Sequence, residues 1–325
     1  MCSESTKKIE NEKYVLDRVV SAGGGAKLDD FKEFPKYIQL ETTSECTARC
    51  AMCGINEWRK KMKSDYMEDS LFYKIADEII ANKKEIQSIA LYIGNEPLLD
   101  ERLCERISHF AKEGLLVNFS TNGSLMDKDM AKKVLQSGVD RVIFSIDSLD
   151  KEIFEKIRKG LKFEEILGNT LAFIQMRNQL KSNVTIKINI VENQFNTENM
   201  ESIVDFWEKL LDKSKGDFVR VEKFVLSFQN SLKRKDEMDT KGAEIYEKIN
   251  IAPCYPLWNT MTIKTDGQVA LCCIDQCRNF VLGDLRKQSI KEIWQESKAL
   301  QNIRKLHIKG GRKEFDLCRN CACWL

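Results

Sequence analysis

Histidine is nearly absent. Only His109 and His307 occur in 325 residues, so a histidine-rich metal site is excluded. Neither sign of charge dominates, with 52 Lys plus Arg facing 50 Asp plus Glu, and the basic excess of a dedicated nucleic-acid binder is missing. No apolar run approaches the ~20 residues that a membrane-spanning helix needs. The opening Met1-Cys-Ser-Glu-Ser-Thr-Lys-Lys8 is polar with no apolar stretch behind it, unlike a secretory signal. The expectation is a cytoplasmic globular protein without membrane or nucleic-acid partners. Its apolar fraction of 42% supports an ample core.

Cysteine, by contrast, is plentiful, with twelve in the chain. In a cytoplasmic protein that number points to metal or catalysis over disulfides. Cys46, Cys50 and Cys53 form a C-x3-C-x2-C triplet after the short apolar run Tyr37–Thr42, and seven more lie between Cys254 and Cys323. A cubane iron–sulfur cluster has four irons, each needing an outer ligand, so three thiolates leave one iron open to something that is not protein. A structural zinc would want a fourth protein ligand, and no histidine lies nearby.

From residue 37 onward, short β-branched or apolar runs at 37–42, 88–93, 115–120, 141–146, 184–190 and 217–226 alternate with helix-period segments. The helices are predicted at 71–83, 101–112, 128–136, 151–158, 163–180 and 197–211. Such alternation predicts βαβ units and a parallel sheet. The fold class expected is α/β, a partial (βα)6 TIM-like barrel followed by a small cysteine-rich β-hairpin and helix domain, with chemistry at the C-terminal strand ends. The boundaries read as an N-terminal extension (1–36), the barrel (37–230), a polar linker with a helix (231–250) and the cysteine-rich region (251–325). Ala22-Gly-Gly-Gly-Ala26 lacks a preceding strand and reads as a flexible link into a short helix at 28–34.

The triplet and its surroundings resemble the radical SAM superfamily. Gly94-Asn95-Glu96-Pro97 looks like the motif that binds the methionyl amino group, although Asn95 stands where many members have glycine. Met52 matches the bulky residue near adenine. Ser120 and Asn122 after the third strand, and Ser145 and Asp147 after the fourth, match polar groups that face ribose and methionine. Arg158 is similar to an arginine that pairs with the SAM carboxylate. Singly, each of these polar residues would also serve as an ordinary strand-end or turn residue. The resemblance implies S-adenosyl-L-methionine chelated to a 4Fe-4S cluster. On this reading one electron cleaves SAM to methionine and a 5′-deoxyadenosyl radical, and a reductant such as flavodoxin or ferredoxin supplies that electron.

Farther along, Cys254 and Cys272 flank a hairpin predicted around Asp266-Gly267, and Cys318 and Cys321 return after a helix predicted over 289–307. Four thiolates suit zinc as well as a cluster, so a zinc ribbon stays open from spacing. The segment resembles the twitch and SPASM auxiliary-cluster domains, Gly283-Asp-Leu and Ile290-Lys-Glu-Ile-Trp294 included, which implies an auxiliary 4Fe-4S cluster. The chain has four residues after Cys321, which favours the shorter, one-cluster twitch arrangement. Cys273 and Cys277 are candidate hydrogen-atom donors, packed thiols or substitute ligands. Cys323 is likewise left over, and Cys104 reads as helix core. The bases Arg304, Lys305, His307, Lys309, Arg312 and Lys313 read as a solvated helix end.

Resemblance to twitch-bearing dehydrogenases implies hydrogen abstraction from a small sugar-like or aminocyclitol-like alcohol, with the auxiliary cluster as electron acceptor. Radical epimerisation with a cysteine hydrogen donor, and peptide or protein side-chain modification, are the alternatives. The 36 residues before the first strand favour a small molecule over a peptide. A metal-stabilised binding protein is the non-enzymatic alternative.

Overall fold

The computed structural model describes residues 33–61, 65–223, 252–275, 279–319 and 321. Among these residues nine strands form one sheet in the order β6-β5-β4-β3-β2-β1-β7-β8-β9. The first six are β1 (Tyr37–Leu40), β2 (Ser88–Ala90), β3 (Val117–Thr121), β4 (Arg141–Ser145), β5 (Thr185–Glu192) and β6 (Phe218–Lys223), all parallel to their neighbours. Each falls within or beside a predicted run. The helices between them are α1 (Ile55–Lys61), α2 (Asp69–Ala81), α3 (Leu103–Ala111), α4 (Lys128–Gln136), α5 (Lys151–Ile157), α6 (Phe163–Gln179) and α7 (Met200–Leu210).

Strand alternation sorts the sheet into two chemically different faces. Ile89, Val117, Phe119, Val142, Phe144, Ile186, Ile188 and Ile190 are buried on the face that the helices cover. In register on the other face lie Gln39, Ala90, Asn118, Ser120, Ile143, Ser145, Lys187 and Asn189, a largely polar set. Local signals set the helix starts: Asp127 Oδ1 accepts Met130 N at 2.8 Å for α4, and Asp150 Oδ1 accepts Ile153 N at 2.9 Å for α5.

The hairpin of β7 (Thr260–Ile263) and β8 (Gln268–Ala270) forms around Gly267, whose φ of 82° a side chain would strain. Its first strand pairs in parallel with β1, Tyr37 opposite Thr260 through Leu40 opposite Ile263. The cysteine-rich region therefore prolongs the barrel sheet, ending in β9 (Val281–Asp284), which the sequence reading did not include.

The single helix expected over 289–307 is two, α8 (Ile290–Glu296) and α9 (Lys298–Ile308). Ser297 breaks it with ψ of 107°, its hydroxyl donating to Leu282 O at 2.9 Å. Glu78 of α2 accepts Ile290 N and Lys291 N at 2.8 and 3.0 Å, which docks the start of α8 on the barrel. No helix among the described residues is long and apolar enough to cross a membrane. The helix and linker expected at 28–34 and 231–250 fall wholly or mostly outside the described residues.

Candidate functional site

The cysteine triplet occupies the loop after β1, at the C-terminal mouth of the parallel strands. The α5–α6 connection holds that loop: Arg49 N donates to Lys159 O at 2.7 Å and Ala51 N to Ile157 O at 2.8 Å. Gly160, at φ 93°, lets this connection approach the Thr47 carbonyl, which a Cβ would meet at 3.4 Å. Arg49 and Arg59 both donate to Cys46 O, at 2.8 and 3.1 Å, and Arg59 also pairs with Glu45. Burial pushes the Cys46 thiol up to about 12 and raises that of Cys53. Iron ligation rather than free ionisation would therefore be the route to thiolates at these two positions.

Around the triplet converge the ends of β2, β3 and β4. Asn122 Nδ2 lies 3.8 Å from Cys46 Sγ and donates to Thr47 Oγ1 at 2.9 Å. Arg158 Nη1 lies 3.8 Å from Cys50 Sγ, and its guanidinium forks onto Asp147 at 2.6 and 3.0 Å. Asp147 is fully buried, so the charge of Arg158 is already answered within the protein. Ser120 and Ser145 hydroxyls meet at 3.3 Å across β3 and β4.

Glu96 is 1% exposed. It accepts from Thr121 Oγ1 at 2.7 Å, Asn122 N at 2.7 Å and Leu98 N at 3.2 Å. Burial pushes its carboxyl up to about 7 against those donors. Its contacts make it a strut that sets the end of β3, and its field reaches the Cys46 thiol. Asn95 Oδ1 accepts Ile93 N at 2.9 Å, while its buried Nδ2 has no partner beside Gly94. Met52 packs half-buried on the core edge.

At the opposite end of the sheet, Cys254 precedes β7 and Cys272 follows β8, so both lie at the N-terminal end of β1 and β7. Cys321 N donates to Cys318 O at 3.2 Å, a turn that brings this pair together. The fields of Cys254, Cys318, Cys321 and Cys273 all act on the Cys272 thiol, which gathers five thiols in one region. Burial pushes the Cys273 thiol up to about 12, with the Gln39 side chain on the polar face of β1 among the groups that oppose the shift. Among the described residues no three Cys, His, Asp or Glu converge closely enough to hold a single metal ion. A tetrahedral zinc would draw its sulfurs to within roughly 4 Å of one another. A cluster with an iron behind each thiolate holds them farther apart. Cys277 and Cys323 lie outside the described residues.

The bases expected as a solvated helix end divide into two sets. Lys305, Lys309 and Lys313 are exposed, but Arg304, His307 and Arg312 are buried. Arg312 donates to Cys318 O at 3.4 Å, Ala252 O at 3.2 Å and Cys321 O, clamping the segments that carry the thiols. His307 Nδ1 accepts Cys254 N at 3.0 Å, and burial followed by Arg312 holds the imidazole neutral, down to about 3. Arg304 stacks on Trp294 at 4.4 Å and donates to Leu257 O at 2.8 Å.

Residues 40–203 match the family model described as the radical SAM superfamily. The chain belongs to that superfamily. Residues 254–322 match the SPASM iron-sulfur cluster-binding domain. The tungsten-containing aldehyde ferredoxin oxidoreductase cofactor-modifying protein of Pyrococcus furiosus is 33% identical over 148 residues, 41% of this chain and 40% of that one. The GTP 3′,8-cyclase of Aliarcobacter butzleri is 30% identical over 248 residues, 74% of this chain and 69% of that one. The chain spans about half the length of the first curated relatives it matches. In fold it is similar to BtrN in complex with AdoMet and 2-DOIA, with TM-score 0.58, 18% identity and coverage of 89% and 93%. It is also similar to Streptococcus suis SuiB bound to S-adenosylmethionine, with TM-score 0.63, 14% identity and coverage of 93% and 79%.

A radical SAM core with a SPASM domain uses S-adenosyl-L-methionine and 4Fe-4S clusters, an auxiliary one included. The residues fit these groups. Three buried or half-buried thiols on a loop held by Arg49, Arg59 and Arg158, and the orphaned Asn95 Nδ2, suit an anionic cluster and a polar ligand. The buried Arg312, whose hydrogen bonds among the described residues all go to carbonyls, suits a second anionic cluster.

Between the two ends of this radical SAM barrel runs the polar face. Lys264 and Glu41 form a buried pair there at 2.8 Å, and Glu41 Oε2 has no partner. Burial, then the fields of Cys273 and Glu222, push Tyr92 up to about 12. The sequence reading passed over Glu41, Lys264, Tyr92 and Lys187 as site residues, and read Arg312 as solvated. Strict alternation in Thr185-Ile-Lys-Ile-Asn-Ile is the signal that would have found the polar face.

Proposed function

We propose that this protein is a radical SAM oxidoreductase acting on a small polar substrate held on the polar face of the barrel, between the two cysteine sites. One relationship carries the reading: the triplet follows β1 at one end of the sheet, while Cys254 and Cys272 sit at the other. A substrate between them would have a hydrogen-abstracting group on one side and an electron acceptor on the other. When bound, SAM and its reduced cluster supply a 5′-deoxyadenosyl radical, and the auxiliary cluster supplies an electron acceptor.

The chain's own residues do the rest. Cys46, Cys50 and Cys53 hold the first cluster, and Asn122 and Arg158 crowd two of those sulfurs. Gly94, Asn95, Ser120 and Ser145 line the mouth where SAM would be oriented. Cys254, Cys272, Cys318 and Cys321 hold the auxiliary cluster. Dehydrogenation of an alcohol would remove a carbon-bound hydrogen atom and one further electron, the chemistry those two groups would supply, while the hydroxyl proton would pass to a base. A one-electron reductant such as flavodoxin or ferredoxin would start each turnover.

The test is anaerobic reconstitution followed by assay of Cys272→Ala/Cys318→Ala. About eight irons in the parent and about four in the variant are expected, with SAM cleavage retained and oxidised product lost. Unchanged iron content, or product from the variant, would sink the assignment.

The influence of the Gln39 side chain, on the polar face of β1, on the Cys273 thiol favours a second reading, in which Cys273 returns a hydrogen atom to the substrate radical and the reaction is an epimerisation. Cys273→Ala would then divert product from the epimer to the quenched or oxidised compound. An unchanged product distribution removes it.

A further inference from the structure

Three cations gather on the polar face of neighbouring strands. Arg141 opens β4, Lys187 lies opposite Ile143 and Phe218, and Arg220 lies opposite Asn189. The parallel register puts all of them on the side facing away from the helices. Arg141 and Lys187 flank the same ring, 5.7 and 6.0 Å from the Phe218 centroid. They are poorly neutralised. Glu222 lies 3.2 Å from Arg220 and 3.7 Å from Lys187, so one carboxylate is shared by two cations. No carboxylate among the described residues lies within 4 Å of Arg141.

Lys187 is 8% exposed, and a buried lysine is rare without a full partner. Beside it on β5, Asn189 Oδ1 is buried with no hydrogen-bond partner. Hydroxyl groups of a bound molecule would complete that oxygen. None of these groups is needed to hold the cluster, SAM or the sheet, whose opposite face carries the core.

We infer that Lys187, Arg220 and Arg141 form a subsite for a phosphate-type oxyanion on the substrate, with Asn189 accepting from a neighbouring hydroxyl. The charge count favours phosphate over a single carboxylate. Lys187 and Arg220 share Glu222, and among the described residues Arg141 has only the field of Asp140, without an ion pair, so the three cations keep a net positive charge that a phosphate monoester dianion answers better than a single carboxylate. The subsite rests on the oxidoreductase reading for its place in catalysis but not for binding. It makes the substrate a phosphorylated polyol or sugar-like molecule.

Binding can be measured without knowing the substrate. Reconstituted, SAM-loaded protein is titrated calorimetrically with inorganic pyrophosphate and, separately, succinate at fixed ionic strength. Pyrophosphate should bind at least tenfold more tightly than succinate. Lys187→Met and Arg220→Gln should each weaken it by tenfold or more. Lys187→Met removes a poorly paired buried charge and should raise Tm. Arg220 is 58% exposed in its side chain, so its variant folds independently of that argument.

Pyrophosphate binding that neither variant changes, or succinate bound as tightly, would overturn the inference. So would a lower Tm in Lys187→Met, which would make the lysine structural. SAM cleavage with dithionite, assayed on the same samples, separates a failed subsite from a failed radical SAM assignment.

Discussion

Lys264 Nζ lies 2.8 Å from Glu41 Oε1, joining the residue after β7 to the residue after β1 within the barrel, with both side chains about 97% buried. The pair locks the SPASM hairpin to the strand that presents the cysteine triplet. Removing one partner strands the other charge, so Lys264→Met should destabilise the protein by about 3–5 kcal/mol. Glu41→Gln/Lys264→Met should recover much of that loss, because neither charge remains. Thermal denaturation of the reconstituted parent, Glu41→Gln, Lys264→Met and the double variant checks this, and additive losses would show that the two residues do not couple.

Arg312 touches three carbonyls of the segments bearing Cys254, Cys318 and Cys321, and its field lowers the Cys254 and Cys318 thiols against their burial. A unit charge several ångströms from a buried cluster shifts its one-electron potential by on the order of 50–100 mV. Arg312→Gln should therefore make the auxiliary cluster harder to reduce by about that amount, seen in an EPR-monitored redox titration. Arg312→Lys keeps the charge but not the fork, and should hold the potential while losing iron on dilution. Equal potentials in the parent and Arg312→Gln would remove the electrostatic role.

Glu96 offers a test of positioning. Its carboxylate accepts Asn122 N, and Asn122 in turn lies 3.8 Å from Cys46 Sγ. Glu96→Gln replaces one acceptor oxygen by a donor, leaving unmatched buried groups at a cost of about 1–3 kcal/mol. The expected result is SAM affinity weakened by about tenfold, with the iron content of the triplet preserved. A variant that loses iron and SAM together would point to collapse of the loop instead.

Much of this architecture was legible in the chain. The α4 span, Lys128–Gln136, follows from its apolar period and the Asp127 cap, and β5 from six residues alternating Ile with polar partners. The junction of β7 with β1 was not, because parallel pairing between strands more than two hundred residues apart leaves no local mark. Ser297 was read through as helix because serine is tolerated in helices; only its bond to Leu282 O shows the break. Arg304 and His307 were misread as solvated since charge was weighed above position. They share a helix face with Leu300, Ile303 and Ile308, and that face is buried. The role of Arg158 turns on Asp147, eleven residues away, which a motif match does not reveal.

Lys187 predicts a pH dependence. Burial, with Arg220 and Arg141 opposing and Glu222 only partly compensating, brings its ammonium down to about 8 from 10.5. The folded state therefore releases this proton before the unfolded state does. Between pH 8 and 10.5 the unfolded chain binds more protons, so this residue's contribution to stability rises with pH in that window and is flat below it. Tyr92, the nearby group next to titrate, is pushed up to about 12. In matched thermal melts from pH 7 to 10, the difference in Tm between Lys187→Met and the parent should shrink steadily above pH 8. Pyrophosphate, by stabilising the ammonium, should move that window upward in the parent alone. A Tm difference independent of pH would mean that Lys187 is solvated and carries no burial penalty.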